Sequence, residues 1–231
     1  MNEKFNGFRM PAEWENQKSV WIAWPYNKYD WPGLYKFIPK VVLEIINKIS
    51  KYQTVNLITH KKVKNIKKLI QLSKIKNINF HKIKTDRIWL RDSGPIFLIN
   101  KKSRKKLILD FKFNGWSKYS NFVNDDKITN KISKIIKLKK IRPIIKKNGN
   151  LIKVIMEGGA FDVNGSGSII LTEECLLSKI QERNKNFQKK DYEKLFKKYL
   201  NIKNFIWLKK GIKGDDTHGH VDDISRFVSK N

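Results

Sequence analysis

The chain has 231 residues, 40% of them hydrophobic, which is enough for one large domain or two small ones with a sizeable core. Its formal net charge of +29 would ordinarily suggest a nucleic acid or an anionic membrane as the partner. However, only seven of the fifty basic residues are arginine, and the lysines are spread along the whole chain among Asn and Ile. Because base and phosphate recognition depends strongly on arginine, we expect a solvated lysine surface and no specific nucleic-acid site.

Cys175 is the single cysteine, which excludes a disulfide framework and a cysteine-based metal site. The N-terminal residues contain no apolar signal core, and no apolar run is long enough to span a membrane. These features predict a cytoplasmic protein that does not associate with a membrane.

Taken in chain order, the apolar spacing predicts alternating strands and helices. The first strands are expected at Ser19–Trp24, Thr54–Thr59 and Ile78–Ile83, and the helices between them at Leu34–Tyr52 and Lys61–Leu72. Strands follow at Ile96–Ile99 and Leu107–Phe113, joined by a turn, and then a helix at Asp125–Leu138 and a strand at Leu151–Met156. A hairpin at Asn164-Gly165 joins strands at Phe161–Val163 and Ser168–Leu171, and a helix at Phe187–Leu200 and a strand at Phe205–Leu208 come last. This order, without a linker, predicts one mixed α/β domain over residues 1–231.

Candidate site residues follow apolar runs at three places in the chain. Asp92 comes after the run at 88–90 and Glu157 after the run at 154–156, while His220 and Asp222 follow the last predicted strand. A carboxylate beside glycine or another turn residue lies where the backbone turns and a ligand can approach. We therefore expect these four side chains to converge in one cleft.

The stretch His218-Gly219-His220-Val221-Asp222 contains half of the chain's histidines. If it is extended, His218, His220 and Asp222 point to one face. A histidine and a carboxylate on one face can transfer a proton, hold a cation or ligate a metal. Three carboxylates with one imidazole suit a guanidinium, a planar cation whose five N–H donors two carboxylates can bind in bidentate fashion.

Six motifs resemble the agmatine deiminase family, which is grouped with the bacterial peptidyl-arginine deiminases. They are MPAEWE (10–15), VWIAWP (20–25), IWLRDSGP (88–95), EGG (157–159), TEECLL (172–177) and DDTHGHVDD (215–223), in the family's order across almost the whole chain. The resemblance implies a pentein fold, a pseudo-fivefold α/β propeller of strand-rich modules. It also implies hydrolysis of a guanidine to a urea with release of ammonia, without a cofactor or metal.

The same resemblance implies a role for each matching residue. Asp92 and Asp222 resemble the pair that binds the guanidinium, His220 resembles the general acid and base, and Glu157 resembles the carboxylate that supports that histidine. Asp216 matches an acidic contact to the far amine of agmatine. The MPAEWE and WIAWP stretches favour agmatine as the small cationic substrate, which places the reaction in putrescine and polyamine biosynthesis. His218 is given no role beyond supporting the loop.

The chain departs from the family pattern at the nucleophile. In the family this is a cysteine of a Gly-rich loop well past the HGHVD stretch, whereas this sequence ends eight residues after Asp223. Cys175 lies in the TEECLL segment, a structural strand-to-helix connection in the family, and is not expected to be the nucleophile. The expectation is a C-terminally incomplete pentein with about three of five modules, inactive alone, whose partner could be a separately encoded C-terminal half. A homo-oligomer is compatible with the sequence.

Three alternatives remain open from the sequence. Arginine or protein-arginine could be the substrate within the same fold. A zinc-dependent hydrolase could use the H-x-H-x-D spacing, although Asp223 stands where that motif needs a further His. The chain could also be a non-catalytic basic fragment that binds polyanions in a salt-dependent way.

Overall fold

The computed structural model describes residue 5 and residues 7–60 and 63–230, without the side chains of Val63 and Lys64. Its helices are α1 Ile38–Ser50, α2 Val63–Leu72, α3 Leu90–Ser93, α4 Ile128–Ile135, α5 Glu173–Leu177 and α6 Lys189–Leu200. Its strands are β1 Ser19–Ala23, β2 Thr54–Thr59, β3 Ile78–Lys82, β4 Ile96–Ile99, β5 Lys106–Leu109, β6 Lys140–Ile141, β7 Ile144–Lys147, β8 Asn150–Lys153, β9 Phe161–Val163, β10 Ser168–Thr172 and β11 Asn204–Leu208. The predicted α/β class is confirmed.

The chain divides into two compact units by its internal contacts. One, called here the parallel unit, comprises Asn16–Leu90 and Asn121–Ile128. The other, the mixed unit, comprises Met1–Glu15, Arg91–Ser120 and Thr129–Asn231. The expectation of a single domain, C-terminally incomplete, stays a prediction. Within the described ranges, every helix is too short or too polar to cross a membrane.

The parallel unit is built on a three-stranded parallel sheet in the order β1-β2-β3. The central strand β2 has its predicted bounds and is buried from its second residue onward, as expected for a strand covered on both faces. Helix α1 packs Val42 and Ile46 into the core formed with β2. It begins at Ile38, four residues later than predicted, with Pro39 in the first turn, where its missing N–H costs no hydrogen bond.

The mixed unit carries the larger core and three small sheets, in the orders β11-β10-β9, β4-β5-β6 and β7-β8. The predicted hairpin is confirmed, because β9 and β10 pair antiparallel. Its turn is fixed by the Asn164 side chain, whose Oδ1 accepts the N–H groups of Ser166 and Ser168. Gly165 takes a positive φ of 68°, which glycine adopts at little cost. This hairpin directly follows the EGG motif.

Several predicted elements were wrong in extent. The helix expected at Asp125–Leu138 is a 3₁₀ turn followed by α4, which ends at Ile135. The strand expected at Leu151–Met156 ends at Lys153 and pairs with β7, which the sequence analysis missed. The predicted start of the second helix at Lys61 lies outside the described residues.

Candidate active site

His220 lies at the start of a short 3₁₀ turn, Val221–Asp223, and not in an extended strand. The preceding His218 and Gly219 both have positive φ, 61° and 90°, so the alternation expected of an extended segment is lost. The Asp215 carboxylate holds this bend, since it accepts the backbone N–H groups of Thr217, Gly219 and His220. The condition under which His218, His220 and Asp222 would share a face, an extended segment, is therefore not met.

The structure brings together four of the five predicted site residues, all within the mixed unit. His220 Nδ1 lies 3.7 Å from Asp92 Oδ1 and 3.8 Å from Asp222 Oδ1. Its Nε2 lies 3.7 Å from Glu157 Oε2. The imidazole is 2% exposed, so these separations act in a poorly hydrated environment, where charges interact strongly. The ring thus has two carboxylates at one nitrogen and one at the other.

Gly159 of the EGG motif makes this approach possible. A Cβ at this position would lie 2.5 Å from His220 Nδ1, 2.8 Å from Asp92 Oδ1 and 2.9 Å from Asp222 Oδ1. The three polar atoms therefore surround one point beside the glycine, and a larger residue would collide with all of them. The Gly159 N–H also donates to Asp92 Oδ1 at 3.1 Å, which fixes that carboxylate.

Asp92 is presented by the short helix α3, and not from the end of a strand as predicted. Its second oxygen accepts a hydrogen bond from Trp116 Nε1 at 3.1 Å. Burial raises the pKa of Asp92 to about 6; the charge of His220 opposes this shift, and those of Glu157 and Asp222 add to it. The carboxyl group is thus poised to change charge near neutral pH.

Asp222 is the second member of what we call the carboxylate pair, Asp92 and Asp222. Burial raises its pKa, with His220 opposing that shift and the neighbouring Asp223 adding to it. Arg91 Nε and Arg226 Nη1 each lie 3.9 Å from Asp222 Oδ2 and also oppose the rise. Both arginines contact Glu13 as well, so their charge is shared between carboxylates.

Glu157 differs from the carboxylate pair. It is fully buried, and Arg183 Nε donates to its Oε1 at 3.2 Å. Burial alone would raise the pKa of Glu157, but the Arg183 guanidinium and His220 outweigh burial and hold that pKa below its ordinary value. Glu157 is therefore an anion beside the imidazole.

The pKa of His220 lies well above its ordinary value. Burial lowers it, and the interactions of the ring with Cys175, Glu157 and the charge of Asp92 more than compensate. The ring is therefore an imidazolium at neutral pH, which can donate a proton to a leaving group.

Cys175 is buried at the start of α5, where Thr172 Oγ1 accepts its N–H and caps the helix. Its sulfur, a nitrogen of His220 and an oxygen of Glu157 lie within 4.8 Å of one another. These are metal-ligating residue types, but the Arg183 guanidinium already bonds Glu157 and would repel a metal ion, so the arrangement disfavours a metal here. Among the residues the structure describes, the metal-ligating group around His220 does not include His218, which contacts Ser178 Oγ at 3.0 Å.

Asp216, the fifth predicted site residue, does not join the cluster around His220. Its side chain is 71% exposed and bonds Lys118 Nζ and the Tyr119 hydroxyl. Tyr119 makes an edge contact with Trp116, the residue that donates to Asp92. Asp216 therefore lies at the far end of a row of contacts that begins at the carboxylate pair.

Two residues that bond the site carboxylates, Trp116 and Arg183, were not predicted from the sequence. Trp116 could have been suspected from Gly115 and the turn that follows β5. Nothing marked Arg183, because one more basic residue in a lysine-rich chain gives no signal, and its partner Glu157 is 26 residues away.

A family model and two solved structures similar to this chain all point to deiminases. A family model for Porphyromonas-type peptidyl-arginine deiminase matches residues 9–231. The chain is similar to an agmatine deiminase structure from Enterococcus faecalis, with 30% identity and a TM-score of 0.86, covering 98% of this chain and 60% of that one. A structure of a Cys-to-Ser variant of the C. jejuni agmatine deiminase with substrate bound gives 31% identity and a TM-score of 0.82, over 97% and 63% of the two chains.

Among curated proteins, one from Latilactobacillus sakei with a provisional name of agmatine deiminase is 32% identical over 231 residues, which is 97% of this chain and 59% of that protein. The chain thus spans about three-fifths of the length of these relatives. Its mixed α/β fold is the one found in the matched part of the solved agmatine deiminases. The propeller and the count of three modules stay predictions.

Proposed function

Because the chain belongs to the Porphyromonas-type peptidyl-arginine deiminase family, we propose that it carries the guanidinium-binding and proton-transfer groups of a guanidine hydrolase. The substrate is agmatine, which reacts with water to give N-carbamoylputrescine and ammonia.

The observation that carries this proposal is the carboxylate pair. Asp92 and Asp222 direct one oxygen each toward a common point beside Gly159 and His220 Nδ1. Both have raised pKa values, so their charges are poorly compensated in the free protein. A bound guanidinium supplies a planar cation with a fork of N–H donors, which favours the ionised form of both groups.

Each residue then has a role in the reaction. The carboxylate pair orients the guanidinium, and His220, as an imidazolium, gives its proton to the nitrogen that leaves as ammonia. The neutral imidazole then removes a proton from the water that attacks the same carbon. Glu157, whose carboxylate faces Nε2, stabilises the imidazole whenever it is charged, before it gives up its proton and again after it takes one from water.

The nucleophile is a thiolate outside these residues. It attacks the guanidinium carbon, the C–N bond to ammonia breaks, and water later displaces the sulfur to leave the urea. A substrate-bound Cys-to-Ser variant in the C. jejuni relative agrees with such a cysteine. Cys175, 1% exposed and anchored by the Thr172 cap, is a poor candidate for it. A segment equivalent to the remaining two-fifths of the relatives supplies the thiolate, in the same or in a separate polypeptide.

Asp216 supports agmatine over arginine as the substrate. The Lys118 ammonium already binds its carboxylate at 2.5 Å, and the primary amine of agmatine can take the same place. The charge of Lys118 and the hydroxyl of Tyr119 hold the pKa of Asp216 below its ordinary value, so it stays an anion.

Ammonia and N-carbamoylputrescine release from agmatine tests the proposal, with the 231-residue chain alone and with the C-terminal segment of the E. faecalis relative added. We expect agmatine to bind the chain alone and turnover to require the added segment. Turnover by the chain alone that vanishes in Cys175→Ser would make Cys175 the nucleophile. If agmatine binds neither the chain alone nor the chain with the added segment, the proposal that agmatine is the substrate is refuted.

A further inference from the structure

We propose that Arg183 is a positioning residue for His220: its buried guanidinium keeps Glu157 an anion and ties Glu157 to the segment that presents the imidazole. This inference rests on the proposed function, because the position and charge of His220 matter for catalysis only if His220 transfers the proton.

The guanidinium of Arg183 makes contacts in three directions. Nε donates to Glu157 Oε1 at 3.2 Å, with both side chains fully buried. Nη1 donates to the carbonyl of Gln181 at 3.0 Å, and Nη2 donates to the carbonyl of Thr217. Thr217 is three residues before His220, so this one side chain joins the EGG segment to the segment that carries the imidazole. A planar fork with fixed donor directions suits this task, and a lysine could not reproduce it.

The contact also decides the charge of Glu157. One carboxylate oxygen bonds Arg183, while the other faces His220 Nε2 at 3.7 Å. Neither that oxygen nor Nε2 has a hydrogen-bond partner within the described structure, so charge attraction is what links them. A fully buried carboxyl group without a counter-charge takes up a proton at neutral pH. Without Arg183, His220 would be the one cation left beside Glu157 among the described residues, so Glu157 would take up a proton more readily and its support of the imidazolium would weaken.

Other groups around the two residues stay in place when Arg183 is changed. His220 also faces Asp92, Asp222 and Cys175, and Tyr192 lies near enough to interact with the charges of Glu157 and Arg183. These groups keep part of the rise in the pKa of His220. The change caused by removing Arg183 therefore measures the contribution of an ionised Glu157.

The test is an NMR titration of the four histidines in the wild-type chain, Arg183→Gln and Arg183→Lys, with the His220 signal assigned by His220→Gln. We expect the pKa of His220 to fall by about one unit or more in Arg183→Gln. The fall should be smaller in Arg183→Lys, which keeps the charge and loses the fork. His60, His81 and His218 serve as internal references.

Arg9→Gln is the matched control, since Arg9 also forms a partly buried pair with a glutamate, Glu15, away from His220. This variant should leave the His220 titration unchanged. An unchanged pKa of His220 in folded Arg183→Gln would overturn the proposal. If that variant does not fold, a carboxyl ¹³C titration of Glu157 in the wild-type chain decides: ionisation below the ordinary glutamate pKa supports the inference, and titration near neutral pH refutes it.

Neither titration requires turnover. A chain without deiminase activity can therefore still confirm the role of Arg183, and an active enzyme with an unshifted His220 refutes this inference alone.

Discussion

The two sides of the His220 ring carry carboxylates of opposite character. On the Nε2 side, Glu157 is fully buried, bonds Arg183 and has a lowered pKa. On the Nδ1 side, Asp92 and Asp222 have raised pKa values. Burial acts on all three groups in the same direction, so the difference comes from the cation within bonding distance of Glu157.

The charge of Glu157 is therefore compensated within the folded protein, whereas the charges of the carboxylate pair are available to a cationic ligand. Glu157 and Arg183 compensate each other before any ligand arrives. In the carboxylate pair, Asp92 is held by uncharged donors, the Gly159 N–H and Trp116 Nε1, and Asp222 is approached by two arginines at 3.9 Å. A cationic ligand therefore gains most where the protein's own compensation is weakest. Substitutions can change the two sides of the ring separately.

Glu157→Gln should cost the most stability. It leaves the guanidinium of Arg183 buried without its counter-charge, and breaking such a pair costs about 3–5 kcal/mol. Urea unfolding of the wild type and the variant measures the loss. Asp222→Asn is the control on the other ring side and should change stability by less than about 1 kcal/mol. An equal loss of unfolding free energy in the two variants would contradict the proposed difference between Glu157 and the carboxylate pair.

Asp92→Asn should weaken agmatine binding by about 10- to 100-fold, because one charge-assisted hydrogen bond to the guanidinium is lost. Stability should change little, because removal of a buried charge offsets one lost hydrogen bond: the amide oxygen can accept from only one of Trp116 Nε1 and the Gly159 N–H. Isothermal titration with agmatine measures the affinity, and Asp110→Asn, a change at a buried carboxylate that pairs with Lys140 and Arg142, serves as the control. Unchanged affinity in Asp92→Asn would exclude Asp92 from the guanidinium site.

Agmatine affinity should rise as pH increases through about 6. The pKa of Asp92 is raised to about 6 in the free protein, so the group is protonated below that pH and must lose a proton to bind a cation. For folding the sign is opposite: the native state holds this proton between about pH 4 and 6 while the unfolded chain has released it, so Asp92 contributes less stability as pH rises. The dependence near pH 6 should vanish in Asp92→Asn, and its persistence would assign the titration to another group.

Asp216→Asn should have the smallest effect. The Lys118–Asp216 pair is exposed, and such pairs contribute about 0–1 kcal/mol. We expect a few-fold loss of preference for agmatine over arginine, measured by competition binding, with little change in stability. Lys118→Gln should shift the preference in the opposite sense by freeing the carboxylate. A preference that neither variant alters would remove Asp216 from amine recognition.

The sequence by itself determined the α/β class, the bounds of β2, the hairpin at Asn164-Gly165 and the identity of four residues that the structure brings together. Local rules were sufficient there, because strand patterning, turn chemistry and short motifs involve residues that are close along the chain. The segment from His218 to Asp222 is not extended because a side chain four and five residues earlier bends it: the Asp215 carboxylate accepts the N–H groups of Gly219 and His220, a contact that hydrophobic patterning does not reveal.

Only the tertiary structure decided the charge states of the site. Glu157, Asp92 and Asp222 are alike as residues in a sequence, and they differ because Arg183 lies against one of them and uncharged donors lie against another. These partners are 26 and 67 residues from the carboxylates they contact. A pKa depends on burial and on charges within a few ångströms, and those distances exist only once the chain has folded.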